Sequence, residues 1–121
     1  MSADFRNRID GLDWKGIESS LEALGHAVTP PLLTPEECAG TIALYGDEGR
    51  FRSRIDMARH RFGVGEYKYF ADPLPPLVRD LRLLAYARLA PIANRWRRAL
   101  GGRGLFPATL PAFLRRCARH G

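Results

Sequence analysis

The chain has 121 residues, 45% of them hydrophobic and 26% charged, which leaves room for one domain with a modest core and excludes a disordered chain. No apolar run approaches the roughly 20 residues that cross a bilayer. The net charge of +6 is carried almost wholly by arginine, Lys15 and Lys68 being the lysines. Such a balance points to a nucleic-acid partner only where the arginines share one stripe.

Met1–Arg6 lacks the apolar centre of a signal peptide, so the expected compartment is the cytoplasm. Ile9 to Leu24 reads as one helix, with Trp14, Ile17, Leu21 and Leu24 on a single apolar stripe and Gly25 as its C-cap. His26-Ala27-Val28 reads as a short strand broken by Pro30-Pro31. Thr34-Pro35-Glu36-Glu37 is a helix start: Thr34 caps free N–H groups, Pro35 sits where a missing N–H costs nothing, and Glu37 closes a capping box. That helix is expected to reach about Tyr45 and to end at Gly46 and Gly49.

Phe51 to Arg61 mixes alternating and helical signals and is crowded with Arg50, Arg52, Arg54, Arg59, Arg61 and His60; a strand is expected near Ile55–Met57. Gly63 and Gly65 are read as a turn leading into a strand over Glu66–Phe70, where aromatics alternate with charges. After Pro73, Pro75 and Pro76 comes a long helical segment. Val78, Leu81, Ala85, Leu89, Ile92, Trp96 and Leu100 recur at spacings of three and four and form its expected core stripe. Pro91 lies inside it and is expected to kink or split it. Beyond Gly101-Gly102, a last helical segment is expected through Phe106, Leu110, Phe113 and Leu114, carrying Arg115, Arg116 and Arg119. The whole is an α+β pattern, mostly helical, with two or three short strands. Strands so few form no self-sufficient sheet unless helices cover them.

Little in these residues carries chemistry by local motif. Cys38 and Cys117 have no Cys-x-x-Cys spacing and are read as ordinary helix residues rather than a redox pair. There is no Gly-x-Ser-x-Gly, and Gly63-x-Gly65 runs into Glu66 rather than a Gly-rich helix start. Arg59, Arg61, Tyr67, Lys68 and Tyr69 could form a basic patch with stacking rings. The preferred expectation is plainer: Phe62, Tyr67, Tyr69 and Phe70 pack beneath the long helix and the arginines are solvated.

The ordered series Pro35-Glu36-Glu37-Cys38, Gly63-Val64-Gly65-Glu66-Tyr67-Lys68-Tyr69-Phe70, Pro73-Leu74-Pro75-Pro76 and Leu89-Ala90-Pro91-Ile92-Ala93-Asn94-Arg95-Trp96, followed by Phe106-Pro107 and Phe113-Leu114-Arg115-Arg116-Cys117, resembles the N-terminal part of a bacterial group of 2-oxoglutarate- and Fe(II)-dependent oxygenases, distant relatives of the prolyl hydroxylases. The resemblance runs from about Trp14 onward. It implies that residues 1–121 are a single partial domain: the helical flank and first strands beside a double-stranded β-helix (jelly roll) that this chain lacks. The implied reaction is hydroxylation coupled to decarboxylation of 2-oxoglutarate to succinate, on an unknown protein or small-molecule substrate.

An iron site of that family needs a His-x-Asp or His-x-Glu pair and a distant second His. Here Val28 stands two residues after His26, Phe62 two after His60, and His120 is followed only by Gly121. No arginine matches the family's 2-oxoglutarate position. The chain is therefore expected to bind neither Fe(II) nor 2-oxoglutarate, and no catalytic, cofactor-binding or metal residue is assigned. Tyr67 and Tyr69 are candidates for substrate-side contacts. Two functions stand open: an inactive N-terminal fragment of such an oxygenase, or a small basic module that contacts nucleic acid or an acidic protein through Arg50–Arg61 and Arg95–Arg103.

Overall fold

The computed structural model describes residues 3–121; Met1 and Ser2, the start of the segment inspected for a signal peptide, lie outside the described residues. Chain order is α1 (Ala3–Asp10), α2 (Trp14–Leu24), α3 (Pro35–Ala43), β1 (Phe51–Asp56), β2 (Glu66–Phe70), α4 (Pro76–Ala99) and α5 (Leu110–Arg119). The strands form one two-stranded antiparallel sheet. This is the expected α+β arrangement, mostly helical and without a jelly roll. The chain divides into two compact units: the described residues up to Leu32 with Leu77–Gly121, and Leu33–Pro76.

In the first unit the buried apolar side chains are Phe5 and Ile9 of α1, Leu84, Ala90 and Ile92 of α4, and Leu110 of α5. Burying one such side chain fully is worth about 1.5–3 kcal/mol. The helix expected over Ile9–Leu24 is in fact two. Asp13 interrupts it as an N-cap, its carboxylate accepting from the Gly16 N–H at 3.0 Å, and Trp14 Nε1 donates back to the Ile9 carbonyl at 2.8 Å. Gly25 closes α2 in the left-handed region, φ 79°, donating its N–H to Leu21; a side chain there is disfavoured, which is why glycine serves.

No strand forms at His26-Ala27-Val28. Prolines at 30 and 31 remove two ladder donors immediately downstream, and the segment stays irregular with Val28 exposed. Helix α4 is not split at Pro91. The proline frees the Ala87 carbonyl, which lies on an exposed part of the helix where water can satisfy it. Its apolar stripe is buried only in part: Ile92 is inside, whereas Leu89, Trp96 and Leu100 are exposed.

Polar clamps hold the first unit together. Arg95 grips Glu18 through two bonds of 2.6 Å, and Arg88 pairs with Asp10 at 3.0 Å. Asn94 both donates to the Phe106 carbonyl, 3.0 Å, and accepts from the Phe106 N–H, 2.8 Å. Tyr86 donates to the Pro107 carbonyl at 2.8 Å and its ring stacks on Phe113.

The second unit begins with α3, whose capping box forms as expected: the Glu37 N–H reaches Thr34 Oγ1, and the Thr34 N–H reaches Glu37 Oε1. Helix α3 ends at Ala43 and tightens into a 3-10 turn over Leu44–Gly46. Strand β1 starts earlier than expected, at Phe51, and Met57 already belongs to the following 3-10 turn. The pairing Ile55–Tyr67, Ser53–Tyr69 and Phe51–Phe70 leaves Arg52 as an irregularity in the register. Gly63 and Gly65 both have positive φ, 103° and 143°, which turns the chain into β2 as the sequence implied. Among the described residues within 33–76 the buried apolar side chain is Pro75, and no aliphatic or aromatic one is buried.

Candidate functional site

The β1–β2 hairpin presents two chemically different faces, because alternate strand residues point to opposite sides. One face is made of committed charges. Lys68 is withdrawn there: its side chain is only 4% exposed, its ammonium lies 4.1 Å from the Tyr45 ring centroid and 4.9 Å from that of Phe51, and it donates to the Tyr45 carbonyl and to Glu48 at 2.8 Å each. Glu66 accepts from the Tyr45 hydroxyl at 2.9 Å and from Arg54 at 2.7 Å. The Tyr45 bond is the main cause holding the Glu66 carboxyl below the usual carboxylate range, and Arg54 adds to it against desolvation. Partial desolvation, then the bond to Glu66, pushes the Tyr45 hydroxyl upward.

The other face carries Tyr67 and Tyr69, 44% and 46% exposed. Their rings meet edge to face with centroids 5.6 Å apart. The Arg52 guanidinium lies over Tyr69, 5.3 Å from its centroid. Beside Tyr67 is an open, mainly apolar groove of about 570 Å³, lined also by Ile55, Met57, His60 and Phe62; Phe62 is 76% exposed. The expectation that Phe62, Tyr67 and Tyr69 are packed away is thus wrong. Buried positions in the hairpin are scarce, and Phe51 and Phe70 take the sheltered side, stacked on each other at 4.9 Å.

The basic patch forms only in part. Tyr67 and Tyr69 come together as substrate-side candidates, but Lys68 faces away from them. Arg59 and Arg61 are exposed, and their side chains make no hydrogen bond or ion pair among the described residues. Arg52 belongs to the Arg50–Arg61 stretch marked in the sequence, but its place over Tyr69, beside the irregular pairing, had no local signal. In the stretch Arg95–Arg103, Arg95 is spent on Glu18, and Arg97 donates to the Arg103 carbonyl at 2.9 Å while lying over Phe106. The series Leu89–Trp96 therefore has a structural use: Asn94 and Arg95 tie α4 to the Phe106 loop and to α2.

Residues 65–121 match the Oxygenase-NA family, described as an oxygenase catalysing oxidative methylation of damaged DNA. The match covers β2, α4 and α5, just under half of the chain, and there the chain is similar to an oxygenase. No curated protein and no solved structure matches it. No group of three or more His, Cys, Asp or Glu that could hold a metal ion exists among the described residues. His60 lies in one unit, and His26 and His120 in the other. Cys38 and Cys117 are both free and exposed. Among the described residues no helix is long and apolar enough to cross a membrane.

Proposed function

We propose that these residues form the helical flank and first strands of a bacterial, cytoplasmic 2-oxoglutarate- and Fe(II)-dependent dioxygenase of the hydroxylase type, and catalyse nothing by themselves. The match of residues 65–121 to an oxygenase family carries this reading. The ordered motifs beginning at Pro35 support it, as does the apolar surface left open at Phe62, Val64, Leu89 and Leu100. The family's iron and 2-oxoglutarate ligands are not among these 121 residues, so no step of the reaction is assigned to them. Tyr67 and Tyr69 are assigned to the substrate side.

Sequencing the gene past codon 121 in all three frames tests this. A His-x-Asp pair and a later His followed by a basic residue are expected just downstream. The joined chain, but not the 121-residue one, is expected to convert 2-oxoglutarate to succinate with Fe(II) and O2. A stop followed by unrelated sequence overturns the reading.

A further inference from the structure

We propose that the outer edge of β1 is a self-association surface: a second copy of this chain pairs with it antiparallel, β1 against β1, about a two-fold axis at Ile55. The inference goes beyond the oxygenase reading and rests on the hairpin alone.

Among the described residues neither strand of the hairpin has another strand beside it. The ladder decides which groups β1 turns outward. Met57 donates its N–H to the Gly65 carbonyl at 2.9 Å, and Ile55 and Ser53 stand opposite Tyr67 and Tyr69. Bonding alternates along an antiparallel strand, so these residues spend their N–H and C=O groups inside the hairpin. Those of Arg54 and Asp56 point away from β2, and no other backbone bond takes them among the described residues. Arg52, Ser53 and Arg54 are exposed, as an open edge requires. Such an edge is a template for a further strand.

The side chains choose which strand. An edge of arginines alone would repel its own copy. Asp56 changes this: it is the one acid from Phe51 to Gly65, and it stands two residues from Arg54. With Ile55 on the axis, Arg54 of each copy lies opposite Asp56 of the other, and both copies make the same pair. An axis at Arg54 would oppose two guanidinium groups, and a one-residue slip would send the two grooves to opposite sides of the sheet. Both side chains have capacity to spare. Asp56 uses Oδ1 on the Ala58 N–H at 3.1 Å, and Arg54 reaches Glu66 through Nη1. On the other face, Ile55 lines the open groove with Met57, Phe62 and Tyr67. Pairing sets Ile55 beside its counterpart, so the two apolar grooves adjoin across the axis and shelter surface that one chain leaves in water. An unrelated strand would find the same backbone groups without the reciprocal charges.

Sedimentation equilibrium of the 121-residue chain reads the association. The weight-average mass should rise from 13.6 kDa toward twice that with concentration, as a weak dimer, because the regular edge is short. Arg54→Asp and Asp56→Arg each set like charges opposite one another, and each should abolish the rise. Their equimolar mixture should restore it, since one variant supplies two acids and the other two arginines. Far-UV circular dichroism checks that both fold. If either does not, Ile55→Cys carries the test, in a Cys38→Ser and Cys117→Ser background because both natural thiols are exposed. Opposed Cα atoms in a non-hydrogen-bonded antiparallel pair are about 4.5 Å apart, within the roughly 4.4–6.8 Å that a disulfide spans. Mild oxidation should therefore link two copies, whereas Ser53→Cys in the same background faces Met57 of the other copy and should not link. A mass that stays at 13.6 kDa at the highest soluble concentration overturns the proposal and leaves the edge to a different strand. So does association that both charge variants keep on their own, or Ile55→Cys linking no better than Ser53→Cys.

Discussion

Lys68 stands between Tyr67 and Tyr69 in the chain, yet its ammonium rests against Tyr45 and Phe51 on the other side of the sheet. Strand alternation explains that separation, because neighbours in a strand point to opposite faces, and it removes Lys68 from the patch the sequence suggested with Tyr67 and Tyr69. What could not be foreseen is the cage itself, since Tyr45 lies 23 residues away. The lost contacts set the cost of Lys68→Met. Glu48 is largely exposed, so its ion pair counts for little. The bond to the Tyr45 carbonyl and the ring contacts together are worth about 1–2 kcal/mol. Hydrogen exchange should show faster opening of the Glu66–Phe70 amides in the variant, with α4 amides unchanged; equal protection of β2 would mean the cage holds nothing. Ile9 is a contrasting case, 1% exposed and the most completely buried side chain of its unit. Ile9→Ala should cost about 3 kcal/mol through the lost burial and the cavity it leaves, read from the urea midpoint. Its importance was hidden because it had been placed at the start of a helix running to Leu24.

Elements with a strong local signature were legible. The capping box at Thr34, the alternation over Glu66–Phe70 and the long periodic run after Pro76 each formed, because each signal acts within a few residues. Elements set by distant partners were not. His26–Val28 had strand-like residues but found no neighbouring strand. The break between α1 and α2 turned on a capping bond from the Gly16 N–H to the Asp13 carboxylate, weaker as a pattern than the apolar stripe across it. The arginine face of the hairpin depended on which strand residue fell out of register, and nothing local singled out Arg52 from the other arginines of the Arg50–Arg61 stretch. Thr34→Ala removes the oxygen that accepts from the Glu37 N–H, while the reciprocal bond from the backbone N–H of residue 34 to the Glu37 carboxylate is kept. A loss of about 1 kcal/mol is expected, visible in thermal unfolding followed by circular dichroism. Thr34→Asp keeps an acceptor at the N-cap and should restore most of it. If Thr34→Ala unfolds at the wild-type temperature, α3 is held by its flanks and not by its cap.

At the scale of the whole molecule, a glutamate in each unit, Glu18 in the first and Glu66 in the second, has a proton affinity that depends on folding. In the first unit the hydrogen bond from Arg95 lowers the Glu18 carboxyl; in the second the bond from Tyr45 lowers Glu66. A carboxyl with a folded-state pKa below its unfolded one binds fewer protons when native. Its contribution is complete above the unfolded value, about 4.3 for glutamate, and disappears as pH falls through the folded one. The contribution of these two carboxyls should therefore be complete above about pH 5 and decline below about pH 4.5. At the alkaline end, Tyr45 and Tyr86 have raised pKa values, chiefly through desolvation. Each binds its proton more tightly when native, so their contribution is present below about pH 10 and is lost above it. Urea midpoints measured from pH 3 to 7 test the acid limb. Glu18→Gln and Glu66→Gln should each flatten that limb by removing one titrating group, and each should lower the plateau. Hydrogen exchange then separates the units: Glu66→Gln should change acid sensitivity in β1 and β2, and Glu18→Gln in α2 and α4. An acid limb as steep in the double variant as in the wild type would place the protons on other carboxylates. The pairs with Arg95 and Tyr45 would then contribute geometry without pH dependence.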